Sequence, residues 1–120
     1  MKRIILIILF TVCFSSIAHA ERRTILYESI VVGTSTAISS SATLDAALYD
    51  AYRSVQGLAT VEGNNIRYQC DGTAPTTTEG LLAYVGDAIT IEGIIDVRNF
   101  SCIGIAGTAT VKINYTADIQ

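Results

Sequence analysis

Short apolar runs separated by turn residues recur after residue 20, and this pattern predicts an all-β fold. Thr24–Ile38 is predicted to hold one or two strands, with a break at Gly33-Thr34-Ser35. Further along, apolar side chains alternate with polar ones, so each set falls on one face of a strand. The sets are Ile66, Tyr68 and Cys70; Phe100 and Cys102; and Val111, Ile113 and Tyr115. These faces are expected to meet in one core.

Three short turns divide the second half of the chain, at Gly63-Asn64, Gly86-Asp87 and Ala106-Gly107. Glycine and asparagine tolerate positive φ, which tight hairpin turns require. The turns at Gly63-Asn64 and Ala106-Gly107 are therefore predicted to form hairpins, and Gly86-Asp87 is predicted as another tight turn. The chain is rich in β-branched residues and has one proline and no tryptophan. We expect a small antiparallel β-sandwich of about 7–8 strands.

One segment departs from this pattern. In Ala42–Val55 the apolar residues Leu44, Leu48, Tyr52 and Val55 are spaced as on one face of a helix, and alanine is frequent. This spacing predicts a short helix at about residues 43–53. The alternative is an irregular loop that joins two sheets.

The first twenty residues have the pattern of a secretory signal peptide. Lys2 and Arg3 precede an apolar run from Ile4 to Phe14, and Ala18-His19-Ala20 matches the cleavage motif. The apolar run is shorter than the roughly 20 residues needed to span a bilayer as a helix. We expect cleavage after Ala20, export to the periplasm, cell surface or medium, and a single domain at residues 21–120.

Charge and residue types argue against several classes of function. Loss of Lys2 and Arg3 with the signal peptide would change the formal net charge from −3 to −5. The remaining basic residues are scattered, so nucleic-acid binding is not expected, nor is membrane binding after cleavage. The only histidine, His19, lies in the signal segment. Without it we expect no histidine-based catalytic site, no zinc site, no cofactor and no enzymatic activity.

Cys70 and Cys102 are the two cysteines outside the signal segment. An even pair in an exported chain is most simply a disulfide, and both residues are in phase with the predicted core positions. A bond between them would close a loop of about 33 residues and stabilise the domain by roughly 3–4 kcal/mol. The sequence therefore predicts a disulfide between two strands.

Three segments, DGTAPTTTEGLL, VGDAITIEG and VRNFSCIGIAGTATVKINYTAD, follow an order that resembles small β-sandwich proteins of tailed-phage virions. Those proteins carry a pattern like RxxxDGTxPTxxxGxxL, then a GDxIxL strand and a final TATLxVxY strand. The resemblance covers about residues 58–116. The matching residues are Arg67, Asp71, Gly72, Thr73, Pro75, Thr76, Gly80, Leu82, Gly86, Asp87, Ile89, Phe100, Ile103, Thr108, Thr110, Val111 and Tyr115.

The resemblance implies a β-sandwich with a virion or surface role. The chain departs from the family pattern by its signal peptide and by the cysteines at positions 70 and 102. Both departures imply an exported version of the fold, in contact with a surface or with the medium.

Two function hypotheses follow. The first is a non-enzymatic structural module that self-associates or decorates a surface, so that its partner is a second copy or a surface. Its assembly strand would lie in Thr24–Ile38 and use Ile25, Tyr27, Ile30 and Val32; the alternative is an ordinary first strand of its own domain. The second hypothesis is a monomeric carbohydrate-binding module. Its contact loop would use Asp71, Gly72, Thr73, Pro75 and Thr76, residues that equally describe a structural turn.

Overall fold

The structure is a computed structural model that describes residues 21–39 and 53–119, and the domain they form is almost entirely β. The strands are β1 (Glu21–Val32), β2 (Ile38–Ser39), β3 (Arg53–Glu62), β4 (Ile66–Gln69), β5 (Leu81–Ala83), β6 (Ala88–Glu92), β7 (Ser101–Gly104) and β8 (Ala109–Ile119). One short helix, α1 (Ile94–Asn99), lies between β6 and β7. The predicted helix at residues 43–53 lies outside the described residues except at Arg53, where β3 begins.

The strands form two antiparallel sheets of four strands each. Sheet A has the order β1-β8-β3-β6, and sheet B has the order β2-β7-β4-β5. The inward faces of both sheets supply a common core that contains Val32, Ile66, Ile113 and Tyr115. The prediction of a small all-β sandwich is confirmed.

The two predicted hairpins are not hairpins, and the tight turn at Gly86-Asp87 likewise joins strands of different sheets. β3, β6 and β8 belong to sheet A, whereas β4, β5 and β7 belong to sheet B. Each turn therefore carries the chain from one sheet to the other as an arch, and the flanking strands face each other across the core. A turn between two alternating segments looks the same in a sequence whether the strands pair or stack, so the prediction was wrong.

Four such arches lie side by side at one end of the sandwich. They join β1 to β2, β7 to β8, β3 to β4, and β5 to β6, which is the order of the strands across both sheets. Hydrogen bonds link each arch to the next. These are Gly104 N to Gly33 O (2.8 Å), Ile105 N to Asn65 O (3.1 Å), Asn64 Nδ2 to Thr108 O (2.9 Å) and Val85 N to Asn65 Oδ1 (3.0 Å).

Helix α1 closes the opposite end of the sandwich. Gly93 adopts φ 83°, a backbone conformation that glycine reaches without steric strain, and turns the chain out of β6 into the helix. The Gly93 N–H donates to Val55 O at 3.0 Å, which ties this turn to the first residues of β3. Val97, a residue of this helix, is fully buried against the core. The helix therefore covers the core where the sheets end and leads the chain from sheet A to sheet B.

Candidate assembly edge and adjoining cleft

Strand β1 forms one edge of sheet A. It pairs with β8 from Glu21–Ile119 to Val32–Ala109, and among the described residues no strand lies on its other side. An edge strand of this length presents a row of unpaired backbone N–H and C=O groups, which is a template for another strand. This edge is the candidate interaction surface of the molecule.

The four predicted assembly residues lie on different sides of β1. Ile30 and Val32 are buried in the core of their own sheet, at 4% and 0% exposure. Tyr27 lies on the outer face and is 58% exposed. Ile25 is half-buried at a β-bulge between Thr24 and Leu26, where the register shifts. Ile30 and Val32 thus hold β1 in its own domain, while Tyr27 remains available on its surface.

Protection against edge pairing is uneven along β1. Its first residues carry charges on Glu21, Arg22 and Arg23, followed by the bulge, and both features restrict pairing to a strand that accommodates them. Its last four residues, Ser29–Val32, carry no charge. Val31, on the outer face, is 59% exposed. The end of β1 nearest the arches is therefore its least protected part.

The loop from Asp71 to Gly80 begins with a turn made by its own side chains. Asp71 Oδ1 accepts hydrogen bonds from the backbone N–H of Thr73 at 2.9 Å and from the Thr73 hydroxyl. These bonds hold the pKa of the Asp71 carboxyl below its usual value. Gly72 has φ 87°. The turn predicted from Asp71, Gly72 and Thr73 is present in the structure.

Arg67 ties the rest of this loop to β4. Its guanidinium donates to Gly80 O at 2.7 Å and to Thr77 O at 3.2 Å. Pro75 is buried, and a Cβ placed on Gly80 would lie 3.1 Å from the Pro75 Cβ. Thr76 Oγ1 accepts the N–H of Glu79 at 2.9 Å. The hydroxyls of Thr73 and Thr76 are thus engaged within the loop, and the sequence pattern did not reveal the part played by Arg67.

The predicted disulfide is absent: Cys70 and Cys102 are separate thiols. Both face the core, as the alternation predicted, with Cys102 fully buried and Cys70 packed at the margin. Tyr68, however, is the residue opposite Cys102 in the ladder between β4 and β7. Cys70 lies two residues further on and is a diagonal neighbour, at a typical Cα separation of about 7–8 Å. That exceeds the usual range for a disulfide, so the predicted bond would require movement of the backbone.

Burial raises the pKa of Cys102 from its ordinary 9.0 to about 12. The unfolded chain therefore releases this proton near pH 9 while the folded protein keeps it, so stability should fall as pH rises from about 9 to about 12. We expect urea midpoints measured between about pH 8 and pH 11 to fall less steeply in Cys102→Ala than in the wild type. Cys70→Ala, which removes a half-buried thiol, is the matched control and should flatten the profile less. Equal slopes in wild type and Cys102→Ala would contradict this prediction.

A cleft opens at the end of the sandwich opposite the arches, between α1 and the adjoining ends of β4 and β5. Gln69, Cys70, Asp71, Leu81, Asp96 and Asn99 line it. Leu81 and Ile95 form an apolar rim and are 61% and 69% exposed. The Gln69 Oε1 atom is buried and has no hydrogen-bond partner within the described part of the chain.

The carboxylates of Asp71 and Asp96 give this cleft a negative charge. The pKa of the Cys70 thiol is raised, first by burial and then by the negative charges of Asp96 and Asp71, which places both carboxylates within electrostatic reach of it. Within residues 21–39 and 53–119, no three His, Cys, Asp or Glu side chains are grouped as a metal site would require. The cleft is therefore complementary to a positively charged donor on an apolar stem.

No helix in the described residues has both the length and the apolar character needed to cross a membrane. Comparison with protein-family models, curated proteins and solved structures gives no match. The resemblance to phage virion sandwiches accordingly stays a prediction. Fold and surface define the class: a small all-β sandwich of stacked arches with one long edge strand.

Proposed function

We propose that this protein is a non-enzymatic structural subunit that is exported and associates with further copies through the edge of β1. The observation that carries the proposal is the position of β1: a strand of 12 residues at the margin of sheet A, paired on one side only within the described residues. Monomeric β proteins usually shorten, charge or cover such edges.

Two further features support association. Val31 and Tyr27 add apolar surface beside the edge, at 59% and 58% exposure. The core residues Ile30 and Val32 hold β1 in place, so another strand can be added without unfolding the domain. Export is supported by the signal-peptide pattern of residues 1–20.

The first test is the mass of the protein in solution. We expect the protein, expressed from its full sequence in a secreting host, to form oligomers or filaments in light scattering and negative-stain microscopy. A monomer at all accessible concentrations would overturn the proposal.

Tyr27→Lys should weaken this association, because a lysine on an edge strand opposes pairing with another strand. Leu58→Lys is the matched control. Leu58 is a similarly exposed apolar residue, at 49%, on the outer face of the same sheet, but it lies on the interior strand β3. We expect Tyr27→Lys to shift the protein toward monomer at least tenfold in dissociation constant, and Leu58→Lys to leave assembly nearly unchanged. Equal effects of the two lysines would indicate a face rather than an edge contact.

A further inference from the structure

We propose that the copies join head to tail: β1 of one copy pairs with β6 of the next, and Arg23 of the first binds at the acidic end of the second. This inference rests on the proposed function and names its geometry and its contact residues. The acidic end is defined by Asp96, in the first turn of α1 and in the wall of the cleft.

Strand direction permits this arrangement. β1 and β6 are the two outer strands of sheet A, and all neighbours in its order β1-β8-β3-β6 are antiparallel. β1 and β6 therefore run in opposite directions. A second copy placed beside the first by translation along the sheet brings its β1 antiparallel to β6, and the same translation brings its β2 beside β5 of sheet B. Both sheets then continue from copy to copy.

The register of sheet A shows which residues meet. Across the sheet, Thr24 pairs with Thr116, Thr116 with Gln56, and Gln56 with Glu92. Thr24 and Glu92 thus lie at the same level on opposite edges. When a second copy is translated along this row, its Thr24 comes beside Glu92 of the first copy. Its Arg23 then lies at the level of Gly93 of the first copy, immediately before α1.

The charges at these two edges are complementary. Arg23 pairs in the ladder with Ala117, whose side chain points into the core, so Arg23 lies on the side of sheet A that faces α1. Its ion pair in the described structure is with Glu21 at 2.8 Å, and both side chains are more than 60% exposed. Such an exposed pair contributes little and is readily exchanged.

The acidic end has groups free to receive Arg23. Asp96 is in none of the ion pairs Arg22–Asp118, Arg23–Glu21 and Lys112–Glu62 of the described residues. The neighbouring cleft adds the unpartnered Gln69 Oε1 and the apolar rim of Leu81 and Ile95. A guanidinium on its aliphatic stem matches these groups in charge, hydrogen bonding and apolar contact.

Pairing of β1 with β1 of a second copy is the main competing geometry. A two-fold dimer of that kind is also antiparallel, but it is closed and leaves β6 and the acidic end uncovered. Only the head-to-tail arrangement makes assembly depend on Asp96 as well as on Arg23.

Charge reversal on each edge tests the proposal with the full-length protein expressed as above. Arg23→Glu and Asp96→Arg should each raise the dissociation constant at least tenfold, because each places like charges together. An equimolar mixture of the two variants should recover assembly, since every contact in an alternating chain then joins opposite charges. Glu62→Arg is the control; it changes net charge as Asp96→Arg does, but on the interior strand β3, and its urea midpoint is measured as well because it breaks the ion pair with Lys112.

Each result has a separate meaning. Loss of assembly in both variants with recovery in the mixture supports head-to-tail joining. Assembly that is unaffected by Asp96→Arg, or a mixture that does not recover while urea midpoints show both variants folded, overturns it and leaves the proposed function standing. A monomeric wild type overturns the proposed function itself.

Discussion

Replacing Phe100 with alanine should lower the free energy of unfolding by about 3–5 kcal/mol. Phe100 follows α1 directly, is fully buried, and packs its ring 5.9 Å from the ring of Tyr68 between centroids. Its removal leaves a cavity at the junction of the helix and sheet B. Small domains have a total stability of about 5–15 kcal/mol, so this one change should remove a large share of it.

Urea denaturation followed by circular dichroism measures the effect. Phe100→Leu, which keeps most of the apolar volume, is the matched control and should lose much less stability than Phe100→Ala. A loss below about 1 kcal/mol for Phe100→Ala would be inconsistent with a closed core at this position.

Replacing Gly104 with alanine should lower the free energy of unfolding toward or beyond the upper end of the roughly 1–3 kcal/mol typical of overpacking. A Cβ on Gly104 would overlap the carbonyl oxygen of Gly107 and lie 3.1 Å from Gly33 O and 3.3 Å from Val32 O. These are backbone atoms and cannot move aside without shifting two arches. The hydrogen bond from Gly104 N to Gly33 O, which links those arches, should lengthen or break.

Gly33→Ala is the control for this prediction. Gly33 lies in the neighbouring arch, yet a Cβ there would meet no heavy atom within 4 Å. The two variants make the same chemical change a few ångströms apart, so thermal or urea unfolding should separate a steric effect from a general loss of glycine. Equal destabilisation by both would show that the arches are not closely stacked at Gly104.

Features with local causes could be predicted from the sequence. The turn at Asp71 follows from the reach of a short carboxylate to the N–H two residues later, and the structure has that bond. The turns at Gly63 and Gly86 occur where predicted, at φ 82° and 91°. Alternation placed Tyr115 and Cys102 on inward faces, and both are fully buried. In each case, neighbours along the chain are sufficient to determine the conformation.

Features that depend on which strands pair could not be predicted in the same way. The cysteine pair shows this most clearly. Facing the core is a matter of alternation, but forming a bond needs two opposed residues, and the ladder places Tyr68 opposite Cys102. Because Cys70 lies two residues beyond Tyr68, it faces the same side of the sheet as Cys102 but is not opposite it, and the disulfide does not form. The candidate assembly residues divide for a local reason instead: Tyr27 and Ile30 are three positions apart in a continuous ladder and so face opposite sides of β1, while Ile25 lies at the bulge.

Most strands, the turns and the inward faces could be predicted from the sequence, because these depend on side-chain alternation and on backbone preferences within a few residues, whereas α1 was not predicted. The three-dimensional structure was needed to show that the three turns are arches, that β1 and β6 are the edges of sheet A, and that Arg23 and Asp96 lie near opposite edges. The reason is that burial of apolar faces is satisfied equally well by strands that pair and by strands that stack. Contacts between distant segments select one of the two, and with it the surfaces left open to another copy.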